Sequence, residues 1–205
     1  MKTLLPLLSI FLITCTQVDS SKSNISNADS KNGTGTLIPQ VNKQFQAFLD
    51  QLPTLDLPIK IKGCEIDHTG LIDFTETPPG PYLTEPCFAV GQLKTNGTYI
   101  SIITLGLADC LLPTITNYKP SGEQIDSKTI AIGSCGNAPC FECEEFMTLK
   151  SDYTLYTADT IKTADCDAEY SPIPGTEKIK VVYREGSLKT DGKIVLSEEK
   201  EKQLK

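Results

Sequence analysis

The sequence predicts a mainly β domain, an antiparallel β-meander closed into a sandwich or barrel, with one helix ahead of it at about 40–51. Three observations carry the prediction. Beyond residue 57 short apolar runs recur, several with period two, as half-buried strands do. Turn-forming segments containing Asn-Gly, Pro-Ser-Gly and Asp-Gly separate those runs. No fixed repeat is visible, so a propeller does not fit.

The chain begins Met1-Lys2 and continues into the apolar run Thr3–Ile13, the layout of an export signal. The run is too short for a membrane-spanning helix, which needs about 20 apolar residues, and no later stretch approaches that length. It ends in Leu12-Ile13-Thr14-Cys15, which resembles the lipobox of bacterial lipoproteins. Thr14 stands where that family usually has Gly, Ala or Ser. The resemblance implies a signal peptide over 1–14, with Cys15 as lipid attachment site and first mature residue, carrying palmitate-type acyl chains. Several acyl chains anchor stably, because each buried methylene contributes about 0.8 kcal/mol. Thr16 after the Cys, rather than Asp, implies the outer membrane of a Gram-negative cell, with the domain periplasmic or surface-facing. An ordinary cleaved signal containing Cys15 is the alternative.

Residues 15–37 are Ser/Asn/Thr/Gly-rich and too polar to build a core, which predicts a disordered tether. A chain of this length spans roughly 25 Å root-mean-square, enough to hold a domain clear of a lipid surface. The single β-rich domain is expected over 38–197 and a charged, solvated tail over 198–205.

Within the domain, Val41, Phe45, Phe48, Leu49 and Leu52 recur near helical spacing until Pro53. Leu57–Lys62 alternates apolar and basic residues, as a strand does. Gly63–Pro86 is read as irregular, with Pro78-Pro79-Gly80-Pro81 in it. Three hairpins follow: Phe88–Lys94 with Tyr99–Leu107, Leu111–Tyr118 with Ile125–Ile132, and Glu145–Leu149 with Tyr153–Thr157. Lys178–Tyr183 is expected to turn at Glu185-Gly186, and Lys193–Leu196 to follow Asp191-Gly192.

These registers place Cys87 opposite Gly106, Cys110 opposite about Gly133, and Cys143 opposite about Asp159. The turns then share one end of the sheet, and Cys87, Cys110, Cys135, Cys140, Cys143 and Cys166 gather towards the other. Three readings compete for that cysteine-lined pole. In an exported chain the first is a disulfide brace drawn from Cys64, Cys87, Cys110, Cys135, Cys140, Cys143 and Cys166. The preferred pairs are Cys110–Cys135, Cys64–Cys87, and Cys166 with Cys143 or Cys140, leaving at least one thiol unpaired. The second is an iron–sulfur site, since Cys135-x4-Cys140-x2-Cys143 has the plant-type ferredoxin spacing with Cys166 as fourth ligand. The third is a thiol–disulfide exchanger at Cys140-Phe141-Glu142-Cys143, where Glu142, Glu144 and Glu145 oppose the thiolate.

The net charge of −7 and a sequence pI near 4.8 argue against nucleic acid, whose phosphates need a basic face. The chain has one histidine, His68, and no tryptophan. Cys64-Glu65-Ile66-Asp67-His68 could begin a zinc site or an acid/base pair, although no further ligand is evident. Asp165-Cys166-Asp167-Ala168-Glu169 lacks the glycine and spacing of a calcium loop. No nucleophile-elbow, P-loop, zinc-protease or dinucleotide fingerprint occurs. The expectation is a non-enzymatic envelope lipoprotein without a cofactor or metal, presenting a surface to an envelope protein or polysaccharide. An exported oxidoreductase or hydrolase using Cys140/Cys143 or His68 is the alternative.

Overall fold

Alternation of apolar and polar residues produces two antiparallel sheets in the computed structural model, which describes residues 41–65, 67–95 and 98–204. The expected signal peptide, Cys15, the tether and the Asn96-Gly97 turn lie outside the described residues. In chain order the elements are α1 (Lys43–Leu49), β1 (Ile59–Lys62), β2 (Ile72–Phe74), β3 (Cys87–Lys94), β4 (Ile100–Gly106) and β5 (Leu112–Tyr118). There follow β6 (Gln124–Thr129), β7 (Phe141–Leu149), β8 (Thr154–Thr163), β9 (Lys178–Leu188), β10 (Ile194–Leu196) and β11 (Lys200–Gln203).

One sheet is a five-stranded meander ordered β2-β3-β4-β5-β6. The other is ordered β1-β7-β8-β9-β10, with β11 also on β9. The sheets are not closed into a barrel. They share one apolar core, in which Leu93, Ile103, Leu105 and Ile115 of the first meet Ile61, Met147, Leu149, Leu155 and Leu188 of the second. That is the arrangement of a sandwich.

A second cluster covers part of the outer face of the first sheet. There Phe45, Phe48 and Leu49 of α1, with Leu52, pack on Ala89, Ile100, Ile102 and Tyr118. Asn42 caps α1, its Oδ1 accepting from the amides of Gln44 at 2.9 Å and Phe45 at 3.3 Å. The buried Gln92 amide donates to the carbonyls of Leu49 at 2.7 Å and Leu52 at 3.3 Å, satisfying the helix end.

Four expectations need correction. The segment 63–86 contains a strand, β2, whose Ile72 and Phe74 pack against the α1 cluster. Glu185-Gly186 is not a turn, because β9 continues to Leu188 and the chain reverses between Lys189 and Lys193. Gly186 instead admits its neighbour closely, since a Cβ there would lie 2.7 Å from Leu196 Cδ2. The tail is exposed but not free: Lys200–Gln203 pairs with β9, Lys200 opposite Tyr183 and Gln203 opposite Lys180. The third hairpin is centred one residue later than expected, with Tyr153 at φ 64° completing the turn. Cys143 therefore faces Ile161, and Asp159 faces Glu145.

Candidate functional site

The end of the sandwich remote from the hairpin turns is held by backbone links between the sheets. Gly63 donates to the Glu145 carbonyl at 3.0 Å, and its own carbonyl accepts from Leu111 at 2.8 Å. That places residue 64 beside residue 110, and Cys64 is disulfide-bonded to Cys110 across a separation of 46 residues. Cys135 is bonded to Cys143 and Cys140 to Cys166.

Beneath the Cys135–Cys143 bridge lie two carboxyls. Glu145 on β7 is 1% exposed and Asp159 on β8 is fully buried, and they stand opposite each other in the strand register. Each occupies the inward parity of its strand, between Cys143 and Met147 and between Thr157 and Ile161. The segment after β6 closes over them. Gly133 takes φ 79° and donates to Glu145 Oε2 at 3.2 Å, while the Ser134 amide donates to Asp159 Oδ2 at 2.7 Å. The other two oxygens, Glu145 Oε1 and Asp159 Oδ1, are buried and met by no amide or hydroxyl among the described residues, and the two carboxyls hydrogen-bond to each other through a proton held by Glu145.

Electrostatics follow from this geometry. Burial pushes Glu145 up to about 7, the Asp159 charge adds to that, and the Gly133 amide opposes it. Burial also raises Asp159, against the stabilising amide and hydroxyl of Ser134. Near neutral pH the pair carries one negative charge more readily than two. The short bridge, only 8 residues apart in sequence, fixes the donor segment over both groups.

The structure brings six of the expected cysteines together but pairs them differently. Cys166 pairs with Cys140, one of the two expected partners, whereas Cys110 pairs with Cys64 and not Cys135. Cys87 sits opposite Gly106 as expected, the register reaching that pairing through an irregularity between Ala89 and Gly91. Its side chain, however, faces the α1 cluster, where it is a buried free thiol held above the usual thiol range by burial. It belongs to no disulfide because strand alternation turns it away from the pole. Cys140 and Cys143 are bonded to different partners, which removes the Cys-x-x-Cys exchange pair. The iron–sulfur spacing likewise resolves into two disulfides.

His68 does not pair with Asp67. The imidazole packs edge-on against Phe88 with ring centres 4.8 Å apart, and the Asp67 carboxylate accepts from the Thr69 amide at 2.9 Å. Asp167 is similarly occupied by the amides of Glu169 at 3.0 Å and Ser171 at 2.7 Å. Both are local turns of a kind aspartate makes without a ligand. Among the described residues no helix is long and apolar enough to cross a membrane.

Sequence reasoning missed the Glu145–Asp159 pair. Its signal is an acidic residue on the apolar parity of two neighbouring strands, at positions the correct hairpin register aligns. Comparison with protein-family models, curated proteins and solved structures gives no match.

Proposed function

We propose that this chain is a cell-envelope lipoprotein whose disulfide-braced β-sandwich serves as a non-enzymatic binding or structural module. The observation that carries this reading is the triple bracing of one end of the sandwich by Cys64–Cys110, Cys135–Cys143 and Cys140–Cys166. Three bridges in so small a domain fit an oxidising, exported environment. The lipobox-like Leu12-Ile13-Thr14-Cys15 supports an acyl anchor on Cys15 and attachment to the outer membrane. The engagement of the Asp67 carboxylate by Thr69 and of the His68 ring by Phe88, and the occupation of Cys140 and Cys143 in different bridges, favour binding over hydrolase or thiol-exchange chemistry. The partner class is an envelope protein or polysaccharide met by an exposed sheet face or by the 63–86 segment.

Metabolic palmitate labelling tests the anchor. The chain incorporates label and fractionates with outer membrane, and Cys15→Ser abolishes both while leaving the domain folded. Unlabelled wild-type protein released freely from the envelope contradicts the reading.

A further inference from the structure

We propose that, once the Cys135–Cys143 bridge is reduced, Cys135, Cys143 and Asp159 form a binding site for a thiophilic divalent cation such as Zn2+. The two sulfurs and a carboxylate oxygen of Asp159 all lie within 4.8 Å of one another. Tetrahedral zinc with ligands near 2.0–2.3 Å needs its donors about 3.3–3.8 Å apart, so on reduction the two bonded sulfurs separate to that spacing while the Asp159 oxygen stays within reach. Glu145 stands opposite Asp159 in the strand register, and solvent supplies the fourth ligand.

A second observation points to a cation independently of the cysteines. Asp159 Oδ1 and Glu145 Oε1 are buried carboxyl oxygens that no amide or hydroxyl among the described residues meets, so a proton shared by the two carboxyls, or a cation in its place, must supply the positive charge. The remaining oxygens are already oriented by the amides of Gly133 and Ser134, as ligating carboxylates usually are by their outer shell. Gly63 leaves the space beside Glu145 Oε1 open; a Cβ there would press on that oxygen and lie 2.8 Å from the Leu111 carbonyl. Two thiolates select zinc-like ions over calcium or magnesium.

The step balances with an external dithiol as reductant. The dithiol transfers two electrons and two protons to the Cys135–Cys143 bond, giving two thiols and an external disulfide. Zn2+ then displaces both thiol protons to solvent as two metal–sulfur bonds form. Bridge and metal are mutually exclusive, so the pole is a redox-gated site.

The experiment titrates Co2+, then Zn2+, into the full chain reduced with a phosphine. The expected result is a thiolate-to-cobalt charge-transfer band saturating at one equivalent, displaced by Zn2+ and absent from the oxidised protein. Asp159→Asn weakens binding at least about tenfold, and Cys140→Ser/Cys166→Ser leaves the band in place. In the reduced wild type, zinc shields Cys135 and Cys143 from alkylation while Cys64, Cys110, Cys140 and Cys166 react. A reduced chain with no saturable band, a band indifferent to Asp159→Asn, or shielding spread evenly over all six cysteines overturns the proposal. The alkylation map needs no variant, so a substitution that fails to fold leaves the test intact.

Discussion

Raising the pH of the oxidised protein through neutrality perturbs the buried carboxyl pair without altering any covalent bond. Glu145 titrates near an ordinary 4.5 in the unfolded chain and at about 7 in the folded one. Between those values the folded state holds a proton the unfolded state has released, so stability falls as pH rises. The contribution is fully present below about 4.5 and is lost by about 7, with little further change above. At about 1.4 kcal/mol per pH unit over that interval, the loss is roughly 3 kcal/mol, a large share of a small domain's stability. Asp159 is raised by burial and acts with the same sign. Asp67, Asp73 and Asp152 are lowered by their threonine partners and act oppositely, losing stability only as pH falls through the acid range. They are exposed and their effect is small. Urea unfolding with disulfides intact, at pH 4.5 to 8, gives the profile directly. Glu145→Gln removes the titrating group and is expected to flatten the decline between 5 and 7. A wild-type profile that rises across that interval, or a Glu145→Gln profile as steep as wild type, refutes the reasoning.

Other substitutions address the packing around the site. Gly63→Ala drives a methyl onto Glu145 and the Leu111 carbonyl and is expected to destabilise by about 1–3 kcal/mol in denaturant unfolding. Phe45→Ala removes a fully buried ring that lies 4.8 Å from the Tyr82 ring and 5.2 Å from that of Tyr118, at a cost of about 3–5 kcal/mol. Gln92→Ala takes its donor from the Leu52 carbonyl and leaves the Leu49 carbonyl with the Leu52 amide alone, costing about 1–3 kcal/mol and fraying α1 first in hydrogen exchange. Removing Cys140–Cys166, which closes a span of 26 residues, costs roughly 3.5 kcal/mol on loop-entropy grounds, measured as a lower denaturation midpoint for Cys140→Ser/Cys166→Ser.

Strand alternation and turn chemistry made much of the fold legible. Although a register shift between Ala89 and Gly91 helps to set the pairing, Cys87 opposite Gly106 in the first hairpin followed from the sequence. The third hairpin did not, because Tyr153 adopts a left-handed conformation that nothing in its type announces. That one displaced turn hid the alignment of Glu145 with Asp159. Gly186 read as a turn because glycine serves reversals and close contacts alike; only the neighbouring Val195 and Leu196 tell which. The charges of residues 200–203 concealed an edge strand, since an edge exposed to water tolerates lysine and glutamate on both faces. Cysteine positions identified the pole but not its pairing. Connectivity depended on Gly63 bridging the two sheets, a long-range contact without a local signal.

Intact mass of the exported protein before and after alkylation, followed by non-reducing peptide mapping, tests the braced pole most directly. The account predicts Cys64–Cys110, Cys135–Cys143 and Cys140–Cys166 linkages, with Cys87 alkylated only after denaturation. A Cys140–Cys143 link, or free thiols at Cys135 and Cys143 in the exported protein, contradicts it.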